Sequence, residues 1–296
     1  MAAGPALVTG ATGTVGGQVV RALLAHGAPL RVAMRRPERG PSGVEAVRFD
    51  FAEPATYQAA LAGARSLFLL FPPSLPRAAD RFAELMDAAR AAGVERVVFH
   101  SVRGAGRLPL PHRKIERVVQ AGGVPWTLLR PNDFMQNFAT VPVFRDGIAR
   151  RGVMSTPAGV GRTSYIDVRD IGDAAVKVLT EDGHDGCTYT LTGPEALDLA
   201  QVAARLGRVL EKPVRYEPAS VPGFVREVRA LGNPLPLALI MTSIALIARF
   251  GLAAEVDPTL PQLLGKPARG FDAFARDYSH IWSGYVATGV RTEMAV

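Results

Sequence analysis

Three regularly spaced glycines are the first residues in this chain whose types and spacing could do chemistry. They occupy positions 10, 13 and 16 of TGATGTVGG, between a short apolar segment and a helix-like segment. Glycines at such a junction permit a tight turn and a close approach of the backbone to a pyrophosphate, which the N–H groups at the helix start can bind. The pattern predicts a dinucleotide site at Gly10, Ala11, Thr12, Gly13, Thr14, Val15 and Gly16.

Two arginines follow the second apolar segment, and they bear on the choice of cofactor. Arg35 and Arg36 stand in VAMRRP, about 20 residues beyond the last glycine, where NAD enzymes usually carry an acidic residue for the ribose diol. Guanidinium groups instead suit the 2′-phosphate of NADP, which they bind through paired hydrogen bonds. The sequence therefore predicts NADP(H) as the cofactor.

Residues after the third and fourth apolar segments are expected to complete the cofactor site. Asp50 in RFDF is placed to accept a hydrogen bond from the adenine amino group, with Phe51 beside it. Phe71, Pro72 and Pro73 end the fourth segment and are expected to wall the ribose of the adenosine half.

These residues need a scaffold in which strands and helices alternate. Apolar runs predict strands at 6–10, 30–34, 44–49, 66–71, 94–101 and 126–131. Apolar residues at helical spacing predict helices at 15–26, 78–92 and 111–123. Such alternation is typical of an α/β fold with a Rossmann-type doubly wound parallel sheet, in which ligands lie beyond the carboxyl ends of the strands.

The remaining residues predict a smaller, mostly helical C-terminal portion that binds substrate. We expect a dinucleotide-binding core over 1–195, with residues about 133–163 contributing to the substrate pocket. Residues 196–296 then form the substrate-binding portion, which is not an independent domain.

Local patterns predict the elements of this later part. They are a strand end and helix over 164–180, a strand at 188–193, a helix at 198–210, a strand at 213–218 and an amphipathic helix at 271–282. Asp167 and Asp170 are interpreted as structural carboxylates, one in a strand-end turn and Asp170 as the cap of the helix.

The composition argues against several other classes of protein. The net charge is +7, but the arginines are scattered with no long basic run, which favours a solvated surface over a nucleic-acid site. A single cysteine, Cys187, excludes a disulfide within the chain. The histidines outside the segments discussed here are too dispersed to predict a metal site, namely His26, His184 and His280.

The most apolar stretch, 235–253, predicts a helix that is buried or forms a lid. Its longest uncharged run falls short of the roughly 20 residues that a bilayer span needs, and Arg249 interrupts it.

Taken with the composition, this stretch leads us to expect a cytoplasmic monomer or homodimer. Its expected partner is a small molecule, and neither a membrane nor a nucleic acid is expected as a partner.

The motifs together resemble those of the NmrA-like group of atypical short-chain dehydrogenases/reductases. The resemblance rests on TGATGTVG, RFDF, VVFHS, GGVPWTLLRPNDFMQN and YIDVRDIGDAA, and it covers nearly the whole chain. It implies dinucleotide binding. It also implies one of several activities, because the group includes NADPH-dependent quinone and azo reductases, reductases of natural-product pathways and catalytically inactive NADP sensors.

The stretch LPLPHRKIE, 108–116, departs from the wider superfamily, which uses a tyrosine and a lysine four residues apart on this helix. Counted back from Glu116, which resembles the family's helix glutamate, the lysine position falls on His112 and the tyrosine position on Leu108. Lys114 points about 200° around the helix from His112 and cannot replace it. Quinone-reductase members resemble this chain in having histidine followed by arginine here. His112 is therefore expected to bind the nicotinamide ribose or to relay a proton, unless it is only a helix-start residue.

Ser101 ends the fifth strand, where the superfamily keeps its catalytic serine. The resemblance implies that it orients a carbonyl oxygen, although a structural strand-end hydroxyl is an equally simple interpretation.

The missing tyrosine favours an electron-poor substrate. A quinone or polarised enone can take its proton from water after hydride delivery, whereas an unactivated ketone needs an acid. Expected substrate contacts, any of which core packing would also explain, are Asn132, Phe134, Met135 and Phe138, with Trp282 and Tyr285 reaching the pocket from the C-terminal portion.

The sequence thus predicts an NADPH-dependent reductase that transfers hydride to a conjugated carbonyl or quinone-like aromatic small molecule, natural-product (polyketide) tailoring being one setting. Two alternatives stay open. One is a non-catalytic NADP(H)-sensing regulator, and the other is a redox-neutral epimerase or isomerase that uses bound NADP.

Overall fold

Apolar strands that run in one direction form the centre of the computed structural model, which describes residues 4–72, 74–107 and 110–284. The strands within that range are β1 (Ala6–Thr9), β2 (Leu30–Met34), β3 (Glu45–Arg48), β4 (Ser66–Leu70), β5 (Arg96–His100), β6 (Trp126–Pro131), β7 (Val153–Thr156), β8 (Arg162–Thr163), β9 (Cys187–Leu191), β10 (Leu197–Asp198) and β11 (Arg215–Pro218). Seven of these described strands form one parallel sheet in the order β3-β2-β1-β4-β5-β6-β9. This confirms the predicted doubly wound α/β sheet, which places all the carboxyl ends at one edge.

The described helices cover both faces of the sheet and build the C-terminal part. They are α1 (Thr14–His26), α2 (Tyr57–Leu61), α3 (Ala78–Ala91), α4 (Pro111–Ala121), α5 (Asn137–Thr140), α6 (Pro142–Asp146), α7 (Val168–Thr180), α8 (Leu199–Leu210), α9 (Val221–Ala230), α10 (Leu235–Arg249), α11 (Thr259–Leu264), α12 (Phe271–Asp277) and α13 (Ser279–Ser283).

Alternation of side chains along the strands divides the main core into two layers. In β1, Val8 packs in a cluster with Val19 of α1 and Ile171 of α7. Its neighbour Leu7 packs on the opposite face in a cluster with Phe82 of α3. Because both faces are covered, the central strands contain consecutive apolar residues, such as LFLL in β4 and VVF in β5, as is usual for parallel sheets.

A third apolar cluster holds the C-terminal helices against the segment that follows β6. Phe138 from that segment packs with Phe271 and Phe274 of α12 and with Leu206 of α8. The predicted single helix over 271–282 is wrong in one respect, since the structure divides it at Tyr278 into α12 and α13.

The cap of α7 also differs from the prediction. The side chain of Asp167 accepts a hydrogen bond from the Arg169 N–H at 2.9 Å and is the N-cap, whereas Asp170 lies inside the first turn. Asp170 is fully buried, and its carboxylate accepts hydrogen bonds from the backbone and the guanidinium of Arg269. A partner 99 residues away therefore decides the role of Asp170. The structural interpretation of both carboxylates is consistent with these contacts.

Helix α10 carries apolar residues on two faces. Ala238, Met241 and Ala245 are buried, while Leu239 and Ile244 are 52% and 40% exposed. None of the helices described here is long and apolar enough to cross a membrane.

Candidate cofactor and substrate site

The predicted site residues follow the carboxyl ends of six neighbouring strands. The first residues of interest beyond β1, β2, β3, β4, β5 and β6 are respectively Gly10, Arg35, Asp50, Phe71, Ser101 and Asn132. The sheet order places Arg35, Gly10, Phe71 and Ser101 on successive strands. Adjacent strands lie about 4.8 Å apart, so these positions form a row along which an extended dinucleotide can lie.

The glycine loop has the backbone that pyrophosphate binding requires. Gly10 adopts φ +64°, and a Cβ at Gly16 would lie 2.2 Å from the carbonyl oxygen of Gly10. Helix α1 begins after Gly13 with no side-chain cap and no acidic residue in its first turn. Its first N–H groups and positive dipole end are therefore available to an anion.

The two arginines and Asp50 follow β2 and β3, at one end of this row. Arg35 and Arg36 are exposed and have no ion-pair partner among the residues described. Asp50 is half-buried, and its Oδ1 accepts a hydrogen bond from the Ala52 N–H at 2.9 Å. Phe51 stacks on Phe82 with ring centroids 5.3 Å apart, so it supports the loop from within the core.

His112 lies at the second position of α4, and its ring packs edge-on against Phe71 with centroids 5.0 Å apart. Its Nε2 is buried and has no hydrogen-bond partner in the described part of the chain. Burial lowers the pKa of His112 from 6.5 to about 4, although Glu116 opposes the shift. The imidazole is therefore neutral at pH 7. Lys114 is exposed, as the helical angle predicts.

Ser101 belongs to a buried network that the sequence did not reveal. Its hydroxyl donates to Glu116 Oε1 at 2.6 Å, and Arg130 donates to both Glu116 oxygens, from Nε at 2.8 Å and from Nη2 at 2.7 Å. A hydroxyl has a single proton, so Ser101 cannot donate to a substrate oxygen while this bond persists. The geometry favours the structural interpretation of Ser101, which here links β5, α4 and β6.

His100, immediately before Ser101, is a site residue that the sequence reasoning did not single out. It is 2% exposed, and its ring lies 6.0 Å from the ring of Phe134 and 6.4 Å from that of Phe68. Neither ring nitrogen has a hydrogen-bond partner among the described residues. The available signal was a histidine that follows the apolar run VVF at the carboxyl end of β5.

The residues expected to contact substrate divide into two groups. Phe134 is half-exposed near the ends of β5 and β6. Met135 and Phe138 are 1% and 2% exposed and lie in the C-terminal core, where Trp282 donates a hydrogen bond to the Phe138 carbonyl oxygen. The amide nitrogen of Asn132 donates to Ser164 Oγ and to the Ala253 carbonyl oxygen, each at 2.8 Å. Phe134 is thus the predicted aromatic contact that keeps part of its surface accessible.

Asp133 is a second residue that the sequence reasoning passed over. Its Oδ1 accepts hydrogen bonds from the Phe134 N–H at 3.0 Å and from Asn137 Nδ2 at 2.6 Å. Burial nevertheless raises the pKa of this carboxyl to about 6. The position therefore holds a carboxyl that changes its charge close to neutral pH, next to the Phe134 surface.

Other features of the described chain lie apart from this row. A cleft of about 520 Å³ opens beyond β9 beside α11 and contains none of the predicted site residues. No three His, Cys, Asp or Glu side chains in the described ranges are grouped so that they could hold a metal ion. Pro73, Leu108 and Tyr285 fall outside the described residues.

Known proteins resemble this chain in sequence and in fold. The profile of the NmrA-like family matches residues 5–266. The chain is 36% identical over 284 residues to an NAD(P)H azoreductase of Xenophilus azovorans, covering 92% of this chain and 97% of that protein. It is 34% identical over 286 residues to a (4-alkanoyl-5-oxo-2,5-dihydrofuran-3-yl)methyl phosphate reductase of Streptomyces griseus, covering 94% and 99%. The structure resembles that of an NADPH-dependent quinone oxidoreductase of Escherichia coli complexed with NADPH, with a TM-score of 0.82, 27% identity and coverage of 93% and 99%.

Proposed function

The chain belongs to the NmrA-like family, and we propose that it is an NADPH-dependent reductase that transfers hydride to a conjugated carbonyl or quinone-like aromatic small molecule. The observation that carries the proposal is the row of strand ends. It joins the glycine loop and two arginines that have no ion-pair partner among the described residues to two neutral imidazoles and a partly exposed phenylalanine. The names of the three relatives, all reductases or oxidoreductases, support reduction as the reaction class.

The residues present suit NADP(H) at each part of the row. The backbone from Gly10 to Gly16 and the uncapped start of α1 would hold the pyrophosphate. Arg35 and Arg36 would bind the 2′-phosphate, because their guanidinium groups have no competing carboxylate among the described residues. Phe71, with His112 packed on it, would flank the path toward the reacting end.

Bound NADPH supplies the hydride, so the protein has to orient the acceptor and exclude water. Because His112 is neutral at pH 7, we assign it the role of hydrogen-bond donor or acceptor to the nicotinamide ribose rather than that of a charged acid. Ser101 and Glu116 act as positioning residues that hold the start of α4 against the ends of β5 and β6.

The substrate surface we propose is the partly exposed ring of Phe134, whereas Met135 and Phe138 are buried in the neighbouring C-terminal core. A flat conjugated acceptor can stack on such a surface, and its reduced form can be protonated by water. This chemistry needs no tyrosine acid, and it is consistent with leucine at position 108. The C-terminal helices around α8 and α12 complete the pocket in this proposal.

The first test is NADPH consumption, followed by absorbance in the near ultraviolet, with a panel of quinones, enones, azo compounds and aromatic polyketide-like ketones. Wild type, His112→Ala and the matched control Lys114→Ala, which changes an exposed side chain two residues away, are assayed together. We expect turnover by wild type and Lys114→Ala. We also expect a loss of at least ten-fold in kcat/KM for His112→Ala, which should still bind NADPH but more weakly than wild type.

The outcomes separate the alternatives. Tight NADPH binding without turnover of any acceptor would favour a sensor. Conversion of a substrate isomer without net NADPH consumption would favour an epimerase or isomerase. Equal activity of His112→Ala and Lys114→Ala would remove His112 from the proposed site.

A further inference from the structure

His100 is a buried polar side chain whose hydrogen-bonding capacity is unused within the described structure. It is the last residue of β5 and is 2% exposed, yet both Nδ1 and Nε2 lack partners among the residues described. A buried polar group without a partner is destabilising, and an apolar side chain would fill the same space without that cost. His184, which is also buried, shows the usual arrangement, since its Nδ1 lies 2.7 Å from the Tyr189 hydroxyl.

The protonation state of His100 limits the kind of group it can bind. Burial, and to a smaller extent the neighbouring His112, lowers the pKa of His100 from 6.5 to about 3. At neutral pH the ring is therefore uncharged, with one N–H donor and one nitrogen acceptor. Such a ring is poorly suited to a phosphate, which prefers cations, and is well suited to a neutral group that offers both a donor and an acceptor.

The position of β5 indicates which half of a dinucleotide would reach His100. Arg35 follows β2 and the glycine loop follows β1, while β5 lies two strands beyond β1 on the side away from β2. Two strand spacings correspond to about 10 Å. His100 therefore lies beside the half of the row opposite the proposed 2′-phosphate end, with its ring 6.0 Å from that of the partly exposed Phe134.

We propose that His100 binds the nicotinamide half of NADP(H), with its neutral imidazole hydrogen-bonded to the carboxamide. A carboxamide has a carbonyl acceptor and an N–H donor, so either tautomer of the ring finds a partner. The contact fixes the rotation of the nicotinamide ring relative to Phe134 and hence the face presented to the acceptor. This inference rests on the proposed cofactor.

The experiment compares the affinities of NADPH and of 2′,5′-ADP, which lacks the nicotinamide half, by titration calorimetry. The proteins are wild type, His100→Phe, His100→Gln and the control His184→Phe. We expect His100→Phe to weaken NADPH binding roughly ten-fold, the value of one hydrogen bond, and to leave 2′,5′-ADP binding unchanged. His100→Gln retains a donor and an acceptor and should recover part of the loss, whereas His184→Phe should bind both ligands as wild type does.

The melting temperature of the ligand-free variants separates a binding role from a packing role. Since Phe removes two unsatisfied nitrogens, His100→Phe should be at least as stable as wild type without ligand but should gain less stability from NADPH. His184→Phe loses a hydrogen bond to Tyr189 and should melt lower. Unchanged NADPH affinity in His100→Phe would overturn the inference, as would an equal loss for NADPH and 2′,5′-ADP.

A measurement on wild type covers the case in which His100→Phe does not fold. The ring-nitrogen resonances of His100 in ¹⁵N-histidine-labelled protein should shift with NADPH and not with 2′,5′-ADP, and identical spectra with the two ligands would refute the contact. If wild type binds 2′,5′-ADP but not NADPH, the inference and the proposed cofactor both fail. If NADPH binds with no effect at His100, only the inference fails.

Discussion

Replacing Glu116 with glutamine is expected to lower the free energy of unfolding by about 3 kcal/mol. The Glu116 side chain is 4% exposed, and its carboxylate accepts three hydrogen bonds, one from Ser101 and two from Arg130. Breaking a buried ion pair on one side costs about 3–5 kcal/mol, because the remaining charge loses its partner. The Arg130 side chain is 23% exposed, so water partly solvates it and the lower end of that range applies.

The assay is urea unfolding of wild type, Glu116→Gln, Arg130→Met and the double variant. Each single change leaves one buried polar partner unsatisfied, whereas the double change removes both charges. The double variant should therefore lose less free energy of unfolding than the sum of the losses in the single variants, with a coupling free energy of about 2 kcal/mol.

An exposed ion pair is the control. Arg65 and Glu95 lie 2.8 Å apart, but their side chains are 44% and 64% exposed, and Glu95→Gln should cost less than about 1 kcal/mol.

The network should also matter for cofactor binding, since Glu116 joins the first turns of α4, where His112 lies, to the ends of β5 and β6. Glu116→Gln is expected to weaken NADPH binding even under conditions in which the variant is fully folded. A change in unfolding free energy within about 1 kcal/mol of zero, or strictly additive single and double variants, would refute the argument that this carboxylate holds the site together.

Three further changes test separate parts of the site. Arg35→Ala combined with Arg36→Ala should weaken NADPH binding by about 10- to 100-fold and leave NADH binding unchanged, and an unaltered ratio of the two affinities would contradict the 2′-phosphate assignment. Gly16→Ala places a Cβ 2.2 Å from the Gly10 oxygen, so it should lower the free energy of unfolding by about 1–3 kcal/mol and weaken NADPH binding. Gly17→Ala is the control, because its Cβ lies 3.1 Å from the Ala11 oxygen, and it should cost less than about 1 kcal/mol in thermal unfolding. Burial raises the pKa of Asp133 from 3.8 to about 6, so the folded protein binds a proton at this carboxyl that the unfolded chain has already lost. The contribution of this protonated carboxyl to the free energy of unfolding is complete below pH 4 and is lost as the pH rises through 6. Between pH 4 and pH 8, the free energy of unfolding of Asp133→Asn should accordingly rise by about 3 kcal/mol relative to that of wild type. If the urea midpoints of the two proteins differ by the same amount at every pH in that range, the raised pKa is refuted.

Much of the scaffold was predictable because its determinants are local. The period of apolar residues predicted α1, α3 and α4 to within a few residues, and the continuous apolar runs predicted the strands between them. Gly27 ends α1 in the left-handed conformation, with φ 73°, as its place after the last apolar position indicates. The later helices were predicted less well, since the amphipathic pattern over 271–282 does not mark the break at Tyr278 between α12 and α13.

The sequence by itself determined the cofactor loop, the arginine pair and the order of strands and helices. A pyrophosphate loop is built from consecutive residues, and in a parallel sheet each strand end is marked where its apolar run stops. Only the tertiary structure decided which side chains have partners. Ser101 and Arg130 meet on Glu116 across three elements, while neither ring nitrogen of His100 has a hydrogen-bond partner among the residues described. Hydrogen bonding and desolvation depend on atoms brought together from distant parts of the chain, and residue type and spacing do not encode those neighbours directly.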